Sequence, residues 1–239
     1  MTLAVVTFPG SNCDADVRRA VTEGLHGKAA MAWHKDADLP AGTTAVVLPG
    51  GFSYGDYLRC GAMAVHSPIM AAVKRFVDAG GPVLGICNGF QILCEARLLP
   101  GALLRNRDGL FHCEDVELEV TAGGRGLLWA FDRKQRISLP IAHGEGSYFA
   151  DEATLDALER EDRIAFRYVA VDAQGHGAVN GARRGIAGII GGPKRNVVGL
   201  MPHPERRSAM HLGGTDGLGL FRGLLEGDGG NGPAVRGAA

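Results

Sequence analysis

A thiol stands between two glycines in the stretch from Gly85 to Gly89, with Cys87 at its centre. This is the spacing of a nucleophile elbow, the G-x-S-x-G turn from a strand into a helix, with sulfur in place of oxygen. Such a turn strains the backbone of its central residue and leaves no room for neighbouring side chains. The spacing therefore predicts that Cys87 presents its thiol at the C-terminal edge of a sheet, where open α/β sheets bind ligands.

The alternative for Cys87 is a core position, because free cysteines are often buried. The elbow favours a nucleophile, since the sulfur would lie at the positive N-terminal end of a helix, which stabilises a thiolate. The backbone N–H of Asn88 would point into the same site and donate to an oxyanion. Cys94 lies two turns further along the same helix without such a context and is predicted to be a packing residue.

A cysteine nucleophile needs a base, and the base needs a partner that orients it. His203 follows an apolar run and is separated from Glu205 by one proline. Because Pro204 favours an extended conformation at His203, both side chains are expected on the same side of the chain. Glu205 would then accept a hydrogen bond from one ring nitrogen and leave the other for Cys87. Taken alone, these residues also fit a proline-rich surface turn.

Two glycine-rich stretches are candidates for ligand contact. Gly50 and Gly51 follow an apolar strand, and a backbone N–H in this turn is a candidate second oxyanion donor. The stretch AHGEGSY at 142–148 is either a ligand-binding loop or an ordinary turn after a strand. No stretch matches G-x-x-x-x-G-K-[ST], and no G-x-G-x-x-G follows a strand, so no nucleotide site is predicted.

The elements that position these residues alternate between short apolar runs and helical patterns, which predicts parallel strands joined by crossover helices. In the first half we predict strands at 2–8, 30–34, 45–48 and 82–86 and helices at 14–25, 68–79 and 88–98. Ser67 is the expected N-cap of the helix at 68–79, and Gly80 is its expected C-terminal stop. In the second half we predict strands at 116–120, 137–142, 164–171, 185–190 and 197–201 and helices at 151–161 and 218–225.

The predicted fold class is α/β, a single domain with an open, mostly parallel sheet flanked by helices and an extra β-rich second half. This domain is expected to span residues 1–226. The Gly-, Ala- and Pro-rich residues 227–239 are expected to form a disordered tail.

Composition narrows the class of function. The 239 residues carry a net charge of −1, which favours neither nucleic acid nor an anionic membrane as a partner. We see neither a signal-peptide pattern nor an apolar run long enough to span a bilayer, so a cytoplasmic protein is expected. Five cysteines without a C-x-x-C pair argue against a disulfide framework and a structural zinc site, and no metal site is predicted.

Together the elbow at 85–91 and the stretch PHPE at 202–205 resemble the two signatures of the class I, triad-type glutamine amidotransferases, a family with a flavodoxin-like sheet. Further stretches resemble the branch of this family that supplies ammonia for purine biosynthesis. They are FPGSNCD at 8–14, WHKDADL at 33–39, LPGGFSYGDYLRCGA at 48–62, AHGEGSY at 142–148 and MPHPERR at 201–207.

The resemblance implies that Cys87 attacks the side-chain amide of glutamine. It also implies that His203 carries a proton to the leaving ammonia and that Glu205 orients His203. The backbone N–H groups of Asn88 and Gly51 are the implied oxyanion donors.

For glutamine binding the resemblance points to Gln91 and to the segment Gly144-Glu145-Gly146. One departure from the family is the Gly-Gly-Pro loop at 191–193, where a more polar loop is expected before the last strand.

Proteins of this branch hydrolyse glutamine for a separate synthetase subunit, which activates formylglycinamide ribonucleotide with ATP and magnesium. A small third subunit bridges the two. The resemblance implies no cofactor in this chain itself. Because free ammonia at pH 7 is mostly ammonium, which is not a nucleophile, it must be delivered without release into water. We therefore expect the isolated chain to be a weak glutaminase.

Two other functions are weighed beside this one. The first is a different cysteine hydrolase on an elbow, a thioesterase or peptidase, although in α/β-hydrolases the acid precedes the histidine in chain order. The second is a degenerate amidotransferase-like domain with a regulatory role, which the presence of all three triad residues disfavours.

Overall fold

The computed structural model describes residues 1–227, which contain eleven strands and five α-helices. The strands are β1 (Thr2–Thr7), β2 (Lys28–Trp33), β3 (Thr43–Leu48), β4 (Val83–Ile86), β5 (Ala102–Leu104), β6 (His112–Val120), β7 (Arg136–His143), β8 (Ser147–Phe149), β9 (Ile164–Tyr168), β10 (Ile186–Gly191) and β11 (Val197–Leu200). The helices are α1 (Asp14–Thr22), α2 (Pro68–Ala79), α3 (Asn88–Glu95), α4 (Glu152–Arg160) and α5 (Leu218–Glu226). The predicted disordered tail lies, beyond Gly227, outside the described residues.

Nine of these strands form one sheet in the order β2-β1-β3-β4-β11-β10-β9-β6-β7. Strands β2, β1, β3, β4 and β11 run parallel to one another. Strands β10, β9, β6 and β7 continue the sheet with antiparallel pairings. The α/β fold is therefore confirmed, and the β-rich second half extends the parallel sheet on one side.

The centre of the sheet is the strand pair β4 and β11, and every residue of both strands is buried. A continuous apolar run of this kind is typical of a parallel strand covered on both faces. Helix α3 packs tightly onto this pair, because a Cβ atom at Gly199 of β11 would lie only 2.2 Å from the Phe90 ring. Phe90 also stacks on Tyr148, with ring centroids 5.9 Å apart. This packing fixes the start of α3 relative to the end of β4.

Most of the predicted elements are present, with shifts at their ends. Helix α2 has the predicted bounds, and Gly80 ends it in a left-handed conformation with φ of 98°. Ser67 occupies the predicted N-cap position, but its hydroxyl makes no capping bond and instead lies 2.8 Å from the Tyr54 hydroxyl. Strands β5 and β8, which pair in a small antiparallel sheet, are not predicted from the sequence. None of the helices among residues 1–227 is long and apolar enough to cross a lipid bilayer.

Candidate active site

Cys87 lies between the end of β4 and the first residue of α3, as the elbow spacing predicts. Its φ of 51° and ψ of −106° are rare for a residue with a side chain, and a conformation of this kind costs on the order of 1–3 kcal/mol. A Cβ atom at Gly89 would lie 1.9 Å from the Leu48 carbonyl oxygen, and one at Gly85 would lie 2.7 Å from the backbone of Gly89. Both glycines are therefore required by close backbone approach, which confirms the predicted turn.

Cys87 is 6% exposed, and its thiol lies 3.7 Å from the carbonyl oxygen of Ala142. The backbone N–H of Cys87 donates to the carbonyl of Leu200 at 2.8 Å, so the elbow is attached directly to the end of β11. This bond places the thiol beside the segment that follows β11, which carries His203 and Glu205.

His203 and Glu205 form a buried pair, in which Nδ1 of the imidazole lies 2.6 Å from Oε1 of the carboxylate. The two residues are 2% and 1% exposed. The predicted contact is therefore present, but its predicted cause is only half right. His203 is extended, as expected before a proline, whereas Glu205 lies in a 3₁₀ turn at Pro204–Arg207. The first turn of this short helix brings the carboxylate back to the ring.

The charges around His203 favour its protonated form. Burial lowers its pKa, but the negative charges of Glu205 and Cys87 raise it more, and the pKa lies well above the ordinary value. Because Nδ1 faces Glu205, Nε2 is the ring nitrogen left for the thiol. Nε2 is buried and has no hydrogen-bond partner among residues 1–227.

The two candidate oxyanion donors are backbone N–H groups without a hydrogen bond to other described residues. Asn88 is the first residue of α3, where helix N–H groups lack an internal partner. Gly51 has φ of 146°, and a Cβ atom there would lie 2.7 Å from Cα of Ser11. The Asn88 side chain accepts a hydrogen bond from the N–H of Ser53 at 3.1 Å. This bond holds the glycine turn against the start of α3.

Gln91, a predicted substrate contact, is engaged within the protein. Its Nε2 donates to the carbonyl of Glu145 at 2.7 Å, and its Oε1 accepts from Nδ2 of Asn88 at 3.0 Å. Gln91 thus joins the helix that follows the thiol to the segment Gly144-Glu145-Gly146. The predicted binding residues are gathered in one place, and their contact with glutamine stays a prediction.

Two buried asparagines hold the backbone of the segment 144–146 in place through hydrogen bonds. Asn106 donates its N–H to the carbonyl of Gly144, and its Oδ1 accepts the N–H of Gly146 at 3.0 Å. Nδ2 of Asn180 donates to the carbonyl of Gly146 at 3.0 Å. A backbone fixed on this many points is preorganised for binding.

His143, at the end of β7, is buried beside this segment. Its Nδ1 lies 3.2 Å from Oδ1 of Asn106. Burial, and then the charge of His203, lower its pKa to about 4, so the ring is neutral at physiological pH. A Cβ atom at Gly146 would lie 2.3 Å from the ring, so a glycine is needed there.

The other cysteines in this region do not compete as nucleophiles. Burial, and then the carboxylates of Glu145 and Asp56, raise the pKa of Cys60 far above its ordinary value. Burial also raises the pKa of Cys94 strongly, in keeping with its predicted packing role. Both thiols stay protonated, and a protonated thiol is a poor nucleophile.

A family model described as the CobB/CobQ-like glutamine amidotransferase domain matches residues 1–212. The chain belongs to this glutamine amidotransferase family. Among its relatives, phosphoribosylformylglycinamidine synthase subunit PurQ of Novosphingobium aromaticivorans is 51% identical, over 95% of this chain and 97% of the relative. The protein of the same name from Synechococcus elongatus is 53% identical, over 95% and 98%.

A solved structure of PurLQS from Thermotoga maritima contains a chain that is 39% identical to this amidotransferase. The two chains superpose with a TM-score of 0.82, over 94% of this chain and 97% of the other. The sheet with its antiparallel extension is thus shared with a structurally characterised relative.

Three polar residues at this amidotransferase site are missed by sequence reasoning: Cys13, Asn106 and Asn180. Cys13 precedes α1, and its sulfur lies 3.8 Å from Nδ1 of His203. Its place in FPGSNCD at 8–14 is the one sequence signal that pointed to it. The two asparagines stand in ordinary polar loops, and no local pattern distinguishes them from turn residues.

Proposed function

We propose that this amidotransferase is the glutaminase subunit of phosphoribosylformylglycinamidine synthase. The observation that carries the proposal is the elbow thiol of Cys87 beside the buried pair of His203 and Glu205. The substrate class and the pathway are supported by 51–53% identity, over nearly the whole chain, to subunits of that name.

In the first half of the reaction, Sγ of Cys87 attacks the side-chain amide carbon of glutamine, and His203 takes the thiol proton. The carbonyl oxygen becomes an oxyanion, for which the N–H groups of Asn88 and Gly51 are the donors. When the carbon–nitrogen bond breaks, His203 gives its proton to the leaving nitrogen. Ammonia departs, and a glutamyl thioester remains on Cys87.

In the second half, His203 takes a proton from water, and the resulting hydroxide attacks the thioester carbon. The carbon–sulfur bond then breaks, His203 returns its proton to Sγ of Cys87, and glutamate is released. Glu205 keeps the imidazole in one tautomer and stabilises the imidazolium that forms in both halves. A raised pKa of His203 matches this role, because the ring must accept a proton twice in each cycle.

The ammonia is proposed to pass to a synthetase subunit that uses ATP and magnesium to convert formylglycinamide ribonucleotide to formylglycinamidine ribonucleotide. A small third subunit is proposed to bridge the two chains. The solved PurLQS structure, which holds the related chain, supports an assembly of this kind. No cofactor is proposed for this chain, since the motifs that cradle phosphates are not found in its sequence. Five cysteines without a disulfide suit the reducing cytoplasm, which is the proposed location.

The first experiment is covalent labelling with a glutamine-mimicking diazoketone, mapped by peptide mass spectrometry with and without excess glutamine. Label on Cys87 alone, blocked by glutamine, supports the proposal. Label spread over several cysteines, or label that glutamine does not reduce, contradicts it. Cys113→Ser is the matched control, because Cys113 is exposed and lies on β6.

The second experiment assigns the pathway. The chain is combined with the synthetase and small subunits of a relative, and formation of formylglycinamidine ribonucleotide is followed. Product from glutamine with the unmodified chain, but only from added ammonium with Cys87→Ala, supports the proposal. Hydrolysis of thioesters or peptides without glutaminase activity would favour the rival cysteine hydrolase.

A further inference from the structure

A second thiol lies on the far side of the catalytic imidazole. Sγ of Cys13 is 3.8 Å from Nδ1 of His203, and that nitrogen is 2.6 Å from Oε1 of Glu205. One ligand atom from each of the three residues lies within 4.8 Å of the other two. Thiolate, imidazole and carboxylate are the donors that zinc takes from proteins. The sequence predicts no metal site, because the cysteines form no C-x-x-C pair and Cys13 lies 190 residues before His203.

The distances suit zinc with little movement. Zinc binds sulfur at about 2.3 Å and imidazole nitrogen at about 2.0–2.1 Å, so a tetrahedral ion holds these two atoms roughly 3.6 Å apart. The observed 3.8 Å is close to that value. The carboxylate of Glu205 has to withdraw by less than about 1 Å to make room for the ion. Its Oε2 is buried without a hydrogen-bond partner in the described chain and is available for coordination.

The sulfur also has a supporting contact of the kind found around metal ligands. Nη2 of Arg206 donates to Sγ of Cys13 at 3.0 Å. A hydrogen bond from an outer residue orients a metal ligand and tunes its charge. Gly50 has no side chain to fill the space beside Sγ of Cys13 and the ring of His203. A Cβ atom there would lie 3.2 Å from that sulfur and 2.7 Å from Cε1 of the ring.

A surface cavity reaches one of the three residues, Glu205. A cavity of about 210 Å³ has the buried Glu205 in its lining together with Asp16, Glu23 and His211. Glu23 and His211 are exposed, whereas Glu205 is 1% exposed, so the lining passes from solvent to the carboxylate of Glu205. The lining carries the carboxylates of Asp16, Glu23 and Glu205 against one cationic side chain, Arg19, and this excess of negative charge favours the approach of a cation.

We propose that Cys13, His203 and Glu205 form a zinc site that switches the triad off. On binding, the thiol of Cys13 and Nδ1 of His203 each lose a proton to solvent as zinc takes both atoms. Nε2 keeps its hydrogen, so the zinc-bound ring can no longer accept a proton from Cys87 at that nitrogen. The inhibition rests on the proposed glutaminase function, whereas the binding of zinc does not.

The test uses Co²⁺ as a spectroscopic probe and Zn²⁺ as its competitor. The unmodified chain and Cys87→Ala are both expected to show near-ultraviolet sulfur-to-cobalt absorption that Zn²⁺ removes. Cys13→Ser is expected to lose this absorption and to bind Zn²⁺ at least about 100-fold more weakly by calorimetry. Cys94→Ser is the matched control, a buried cysteine away from the triad, and should behave as the unmodified chain.

Absorption that persists in Cys13→Ser but disappears in Cys87→Ala would overturn the proposal and place the metal on the nucleophile instead. Circular dichroism verifies that Cys13→Ser is folded, and Glu205→Gln provides a second variant that should also weaken Zn²⁺ binding. Loss of glutaminase activity on adding Zn²⁺, restored by a chelator, connects occupancy to the reaction. If the metal-free chain hydrolyses no glutamine while the cobalt absorption is present, the proposed function fails and the zinc site stands.

Discussion

Nδ1 of His203 and Oε1 of Glu205 lie 2.6 Å apart in a place from which water is almost entirely excluded. A hydrogen bond that involves a charged group is strong in such surroundings, and it also decides which ring nitrogen carries the proton. The orientation of the base therefore depends on one carboxylate.

Replacement of this carboxylate should impair catalysis much more than folding. Glu205→Gln keeps the size of the side chain but no longer holds the imidazole in the required tautomer or stabilises its charge. We expect kcat for glutamine hydrolysis to fall by roughly 10³–10⁴-fold. Glutaminase kinetics measure this, with Glu226→Gln at the exposed end of α5 as the control. A fall of less than tenfold would show that Glu205 does not orient the base.

The glycine after the nucleophile should be intolerant of a methyl group. In Gly89→Ala the new Cβ would lie 1.9 Å from the Leu48 carbonyl oxygen, so the backbones of α3 and β3 must separate. We expect the free energy of unfolding to fall by about 3 kcal/mol or more. Urea unfolding tests this against Gly144→Ala, where the nearest atom is 3.7 Å away. Equal stability of the two variants would contradict the packing described for the elbow.

The buried neutral His143 should make folding sensitive to acid. Its pKa is lowered from 6.5 to about 4 in the folded chain, so the unfolded chain binds more protons between these values. The free energy of unfolding should therefore decrease as the pH falls from 6.5 to 4, by up to about 3 kcal/mol. His143→Gln should lessen this decrease, whereas His66→Gln, at an exposed position, should leave it unchanged. An identical pH dependence in both variants would count against a neutral buried ring.

Association with the synthetase subunit should raise the glutaminase rate. Ammonia is useful only when an acceptor is in place, and closure of an incomplete site by a partner is a common way to gate such a reaction. We expect the isolated chain to hydrolyse glutamine at least roughly tenfold more slowly than the assembled enzyme. The comparison is made at equal concentrations of Cys87 sites, with Cys87→Ala in the assembly as the background. Full activity of the isolated chain would contradict this coupling.

The elbow and helix α2 could be predicted from sequence because their signals are local. Glycines beside Cys87, and a proline and a glycine at the ends of α2, each restrict the backbone at their own positions. Strands β5 and β8 have three residues each, which is too short for an alternating pattern to be read. Their pairing is decided by tertiary contacts.

In the candidate site, too, one part could be predicted from the local sequence and another part could not. The pairing of His203 with Glu205 depends on two neighbouring residues and a proline, so it can be expected from sequence, although the 3₁₀ turn that completes it cannot. The positions of Cys13 and Asn106 depend on contacts between segments that are distant in sequence. No local pattern carries that information.

Strands β4 and β11 lie side by side in the sheet, and Ile86 pairs in register with Leu200. The nucleophile follows the first strand and the base follows the second, although the two are far apart in the sequence. A growing chain on the ribosome therefore exposes the elbow thiol long before the residues of β11 have been synthesised. Glutamine hydrolysis has to wait until translation has passed residue 205 and β11 has joined β4. A chain that stops short of His203 and Glu205 thus cannot consume glutamine, because the nucleophile comes early in the sequence and its base comes late.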